Sequence, residues 1–210
     1  MTEPAPIQQI QARLRQLHPQ ARYELDFHSP FELLVATILA ARCTDERVNR
    51  VTTILFDKYP DPQAYAEADL EQLEHDVRPT GAYKTKARAL QGMARALLDR
   101  FGGEVPASMD DLVTLPGVAR KTANVVLTMA FEIPSGIIVD AHVARVSQRM
   151  GLTEQSKAER IERELMDAVP RDDWIHFGPA MVLLGRYICK ARTPLCHDCP
   201  MDDLCPKRQI

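Results

Sequence analysis

The sequence predicts an all-α protein. Apolar residues recur at three- and four-residue intervals in one stretch after another, the repeat that builds one face of a helix. Several of those stretches open on a residue type that caps helix starts. No stretch alternates apolar and polar residues at the two-residue period of a strand.

Ile7, Ile10, Leu14 and Leu17 mark the first helical stripe. Ser29 opens the second helix as an N-cap, with Pro30 in the first turn and Glu32 as capping-box acid. Its stripe is Phe31, Leu34, Ile38 and Ala41. Thr44 is expected to cap the third, striped by Val48, Val51, Leu55 and Tyr59. Residues 84–101 form the next helix, stopped by Gly102 and Gly103. Residues 108–115 form a short one with a Ser108/Asp111 capping box. Segments 120–131, 141–150, 157–169 and 173–189 complete the set. Ile133-Pro134-Ser135-Gly136 is the candidate domain boundary, and the pattern leaves open which domain the first helix joins.

At 210 residues the chain can form one large domain or two small ones. With 45% hydrophobic and 26% charged residues it reads as an ordinary soluble globular protein. Its start carries no apolar signal-peptide core, and no apolar run approaches the roughly 20 residues that span a bilayer. A cytoplasmic protein with no membrane association is expected. The net charge of −3 argues mildly against nucleic-acid binding, although a local basic face matters more than the sum. Lys84, Lys86, Arg88, Arg95 and Arg100 form one basic cluster, and Arg186, Lys190, Arg192, Lys207 and Arg208 another. The acids gather at residues 67–76. Solvated helix faces would give the same pattern.

Four of the five cysteines follow the spacing Cys189-x6-Cys196-x2-Cys199-x5-Cys205. In a cytoplasmic protein such a run is a metal site, not a disulfide framework. Structural zinc usually takes two close pairs, whereas here only Cys196 and Cys199 are close. One pair with two separate outer cysteines favours a [4Fe–4S] cluster, with zinc as the alternative. His197 reads as a solvated loop residue, and Cys43 as a small apolar residue outside the set.

A second motif runs Leu115-Pro116-Gly117-Val118-Ala119-Arg120-Lys121-Thr122-Ala123. A short helix ends, a Pro-Gly turn follows and a second helix begins, the helix–hairpin–helix pattern. Gly117 would let the backbone approach a phosphate, with N–H groups of Gly117, Ala119 and their neighbours pointing outward at a helix N-terminus. Such contacts carry no base information. An ordinary Pro-Gly helix connection is the plain alternative. Lys121 falls in the first turn of the second helix, where the helix dipole and Arg120 act against an ammonium and favour the amine needed for nucleophilic attack. A simple phosphate contact is the competing role. The third signal is Asp140, which follows the apolar run Ile137-Ile138-Val139 and precedes Ala141-His142-Val143 at a helix start. It can be an N-cap alone, or also a carboxylate that moves a proton or stabilises developing positive charge. His142 reads as structural.

These three signals, in this order, resemble the endonuclease III family of helix–hairpin–helix DNA glycosylases. The resemblance covers nearly the whole chain and extends to Pro30-Phe31-Glu32-Leu33-Leu34, Thr44-Asp45 and Gly185-Arg186-Tyr187. It implies two helical domains with a DNA-binding cleft between them. One is a six-helix barrel over residues 22–133, with the helix–hairpin–helix motif at 108–131. The other, an iron–sulfur cluster domain, takes residues 1–21 and 134–210. It implies a monomer that binds damaged double-stranded DNA, and so the nucleoid. Such an enzyme removes oxidised pyrimidines flipped from the duplex, then cleaves the strand by β-elimination. Lys121 would attack C1′ and form a Schiff base, with Asp140 as its partner, and the four cysteines would hold the [4Fe–4S] cluster. DNA contacts would come from Arg42, Ala82, Leu115, Gly117, Val118, Ala119 and Arg120. Two of these depart from the family, which usually has glutamine at the position of Arg42 and leucine at that of Ala82. Those residues enter the duplex; alanine is a poor wedge, whereas arginine could stack in the gap and hydrogen-bond to the orphan base. The related adenine glycosylases lack the lysine, so Lys121 favours the lyase branch over a monofunctional glycosylase. A non-enzymatic damage-binding or electron-transfer protein would need neither Lys121 nor Asp140.

Overall fold

A computed structural model describes residues 5–208; the expected domain ends at residues 1 and 210 lie outside the described residues. Among the described residues there is no strand, and every regular element is helical. None of the helices is long and apolar enough to cross a membrane. The chain forms two compact units. One is Glu24–Glu132, and the other combines both ends of the chain, Met1–Tyr23 with Ile133–Ile210.

The Glu24–Glu132 unit is built on α2 (Pro30–Leu39), which is apolar nearly all round and buries Phe31, Leu33, Leu34, Val35, Ala36, Ile38 and Leu39. A helix apolar on every side belongs at the centre of a core. Its cap follows from Ser29-Pro30-Phe31-Glu32: Ser29 Oγ accepts from the Glu32 N–H at 3.1 Å. The Glu32 carboxylate reaches one residue further back than a capping box requires, accepting from the His28 N–H at 2.6 Å. Thr44 occupies the N-cap of α3 (Asp45–Lys58), but its side chain makes no capping bond; Asp45 and Glu46 supply the favourable first-turn charge instead.

Two short helices join those read from the sequence, one just before the acidic stretch and one within it. α4 (Pro62–Glu67) is capped by Asp61, which accepts from the Ala64 N–H at 2.8 Å. α5 (Leu70–Val77) is capped by Asp69, which accepts from the Gln72 N–H at 2.9 Å. α4 is too short for a period to show, whereas Leu70, Leu73 and Val77 of α5 keep helical spacing within the acidic stretch. Tyr65 of α4 and Leu73 and Val77 of α5 are nonetheless fully buried. The Tyr65 ring meets Phe31 edge-on at 5.5 Å. A 3-10 turn, Arg78–Thr80, leads into the long α6 (Tyr83–Phe101), whose stripe is Ala87, Leu90, Met93, Ala94 and Leu97. α7 (Met109–Leu112) and α8 (Arg120–Ala130) form the two arms of the hairpin, and α8 packs on α2.

The other unit packs α1 (Ile7–Leu17), α9 (Ala141–Arg149), α10 (Ala158–Ala168) and α11 (Trp174–Tyr187) around Leu14, Val146, Leu165, Phe177 and Met181. α9 and α11 approach closely because Gly185 has no side chain: a Cβ there would lie 2.8 Å from His142 Cβ. Arg145 of α9 reinforces the contact, donating to Gly185 O at 2.7 Å and Cys189 O at 3.1 Å. Arg13 of α1 pairs with Asp203 and donates to Pro200 O, so the first helix is tied to the cysteine loop.

Candidate active site and cysteine cluster

In the Glu24–Glu132 unit the hairpin turn is shaped by packing from inside the protein. Gly117 has φ +77°, a left-handed conformation, and a Cβ built there would lie 2.7 Å from the Ala89 Cβ of α6. The glycine is therefore required by the fold itself, before any ligand is considered. Gly117→Ala should destabilise the protein by about 2–4 kcal/mol, from left-handed strain plus overpacking. Thermal or urea unfolding reads this, and an unchanged melting temperature would contradict it. Substitution at Gly117 therefore cannot isolate a phosphate contact, the purpose its place in the motif suggests.

Leu115 and Val118 point inward, with 3% and 6% exposure, so their side chains are core groups. Their N–H groups are also used, donating to Leu112 O and Leu115 O, each at 3.1 Å. Both side chains and both N–H groups therefore serve the turn itself. Gly117 and Ala119 are exposed, and among the described residues their N–H groups have no protein acceptor. Ala119 is the N-cap of α8 and has no side chain to cap it, and the first turn contains no acid. Arg120 and Lys121 are both exposed there. An uncapped helix N-terminus with outward N–H groups and two cations is suited to an anion.

Arg42 and Ala82 belong to the same unit, and both are exposed. Each has left-handed backbone, φ +56° and +47°, which non-glycine residues seldom adopt. Arg42 follows the end of α2, and Ala82 is the N-cap of α6. The basic cluster at 84–100 is not one solvated face. Lys86 is buried, Arg95 donates to Ala66 O, and Arg100 donates to Thr114 Oγ1 at 2.8 Å. Cys43 is half-buried.

In the other unit, Asp140 is half-buried at the start of α9. Its Oδ1 accepts from the N–H groups of His142 at 2.8 Å and Val143 at 2.9 Å. The cap expected for an aspartate at this position is present, and it engages only one carboxylate oxygen. His142 Nδ1 lies 3.3 Å from Arg145 Nη2, a structural contact. Lys121 and Asp140 thus come from different units.

Cys189, Cys196, Cys199 and Cys205 line a single cavity with Ile188 and Leu195. None is in a disulfide. Burial pushes the Cys199 and Cys205 thiols up, and the other cysteines of the set add to the shift. Four thiolates would therefore repel one another until a cationic centre stood between them. Arg149 points an N–H at Cys189 Sγ at 3.4 Å and donates to Lys190 O and Ala191 O, so the loop is held around the cavity. Among the described residues no three His, Cys, Asp or Glu side chains converge on one ion. His197 is exposed.

Residues 35–171 match the family described as HhH-GPD superfamily base excision DNA repair protein. Endonuclease III of Synechocystis sp. is 50% identical over 196 residues, 93% of this chain and 90% of the relative. Endonuclease III of Bacillus subtilis is 44% identical over 198 residues, 94% of this chain and 90% of the relative. The solved structure of a trapped endonuclease III–DNA covalent intermediate, in an estranged-adenine complex, has a TM-score of 0.91 at 44% identity. The match covers 96% of this chain and 94% of that one.

Proposed function

The chain belongs to the endonuclease III family of the HhH-GPD superfamily, and on that premise we propose that it is a bifunctional DNA N-glycosylase and abasic-site lyase. Membership makes it a DNA glycosylase of base excision repair. The finer reading is that it takes oxidised pyrimidines from double-stranded DNA and then cuts the strand. The observation that carries it is an exposed lysine, Lys121, at the uncapped start of α8, directly after outward N–H groups. The turn would hold phosphate and leave the amine beside a sugar. The relative trapped as a covalent intermediate with DNA supports a covalent route.

In the proposed reaction the Lys121 amine attacks C1′ of an extruded nucleotide, and the bond to the base breaks, its electron pair leaving with the base. Asp140 stabilises the positive charge that develops on the sugar and takes the proton lost by the amine. The C1′–O4′ bond of this adduct then breaks, O4′ leaving with the electron pair and taking a proton, and the Schiff base so formed acidifies C2′. Loss of the C2′ proton expels the 3′ phosphate by β-elimination, and water then releases the lysine. A product assay tests this on duplexes containing thymine glycol, dihydrouracil, uracil or an abasic site. Release of the oxidised bases with cleavage 3′ to the lesion is expected. Base release with an intact strand would leave a monofunctional glycosylase.

Cys189, Cys196, Cys199 and Cys205 are proposed to hold a [4Fe–4S] cluster, which when bound would cross-link the C-terminal loop. Among the described residues that loop has little regular structure of its own, only the 3-10 turn Cys196–Asp198. Purified protein should be yellow-brown, absorb at roughly 400 nm and contain about four irons per chain. Colourless protein with one zinc would overturn the assignment. Cys196→Ala should lower the iron content and loosen the loop, read as faster proteolysis after residue 189.

A further inference from the structure

A lysine inside a protein needs a reason, and Lys86 is only 5% exposed. It lies in the first turn of α6, where the helix dipole disfavours a cation, and burial pulls its pKa down. Its Nζ donates to Leu39 O at 2.8 Å and to Thr80 O at 2.7 Å. Leu39 is the last residue of α2, and Thr80 the last of the Arg78–Thr80 turn. Carbonyls at a helix end lack an intrahelical donor and carry the negative end of the dipole. One ammonium therefore caps two helix ends that are far apart in sequence.

Each of those ends leads at once into a strained corner. Arg42 comes three residues after Leu39, and Ala82 two residues after Thr80. Four non-glycine residues with positive φ occur among the described residues, and these are two of them. Such conformations persist where the surroundings over-determine them. Both corners are exposed, so that constraint has to come from the buried side.

We propose that Lys86 is a positioning residue, whose buried ammonium holds Arg42 and Ala82 in the poses with which they enter the duplex. This rests on the functional reading above. The phosphate-facing N–H groups of Gly117 and Ala119 belong to a different turn. Loss of the ammonium should therefore impair nucleotide extrusion while leaving affinity for undamaged DNA intact.

The test uses the full chain, a duplex with 2-aminopurine beside an uncleavable abasic-site analogue to read brightening, and a matching duplex with a true abasic site to read cleavage. The fluorophore brightens when side chains enter the stack. Lys86→Met keeps the stem and removes the donor. Saturating protein should brighten the probe far less, and single-turnover cleavage should slow about tenfold or more, since small misplacements are costly. Affinity for undamaged duplex should stay within about twofold. Lys86→Gln, whose shorter amide can serve only one carbonyl, should show the same split and decides the matter if Lys86→Met does not fold. Met93→Ala, a buried change on the same helix, controls for lost stability and should leave brightening unchanged. A Lys86 variant that brightens and cleaves like wild type would overturn the proposal, and so would an equal loss in Met93→Ala. Wild-type protein that neither brightens the probe nor cleaves would overturn the functional reading itself, and this proposal with it.

Discussion

Lys121→Gln should abolish borohydride trapping on abasic DNA and lower strand cleavage by about 10³-fold or more, the scale on which removal of a nucleophile is felt. Glutamine keeps most of the length and can hydrogen-bond, but it cannot form a Schiff base. The position is exposed on the first turn of α8, so stability should change by no more than about 0.5 kcal/mol. Binding should survive because the outward N–H groups of Gly117 and Ala119 are backbone. At most one phosphate-directed charge is lost, which would lower the salt dependence by about one unit. Three measurements on one preparation separate the roles: trapping by gel, affinity by anisotropy, and melting. Loss of binding together with activity would make Lys121 a phosphate contact. Persistent trapping would move the nucleophile, with Lys84 and the N-terminal amine as next candidates; the N-terminus lies outside the described residues.

Asp140→Asn should fold normally and turn over about 10²–10⁴-fold more slowly, the usual worth of a positioned acid or base. The structure makes the comparison clean. Oδ1 alone accepts the two capping N–H groups, and the asparagine amide oxygen can take both. Asparagine and aspartate cap about equally well. Asp140→Ala removes the cap as well and should cost a further ~1 kcal/mol of stability. Normal melting with normal turnover in Asp140→Asn would leave the residue as a cap and nothing more. If both variants lose activity only in proportion to melting, the carboxylate acts through α9 and not on the sugar.

Much of the fold was legible because helix signals are local. The stripes on α2, α3, α6 and α8 to α11 repeat within a few residues, and Ser29 and Ser108 mark their helix starts by short-range bonds. α4 escaped because six residues are too short for a period to stand out, whereas α5 did carry one, Leu70, Leu73 and Val77, obscured by the acids around it. The dipeptide Asp61-Pro62 and the N-cap Asp69 were further available signs. Thr44 shows the opposite failure: the right residue at the right place, with its hydroxyl outside the cap.

By itself the sequence determined the helical class and most of the helices, and it marked the four cysteines, the Pro-Gly hairpin, Lys121 and Asp140 as candidates. All of these rest on spacing along the chain, which residue identities encode directly. Only the tertiary structure decided that Leu115 and Val118 face inward and that Gly117 is demanded by Ala89. Only it decided that Lys86 leaves the basic face to hold two carbonyls beside the strained corners at Arg42 and Ala82. The physical reason is that burial and backbone strain are set by partners tens of residues away. Lys86 and Leu39 are 47 residues apart, and no local pattern records that they meet.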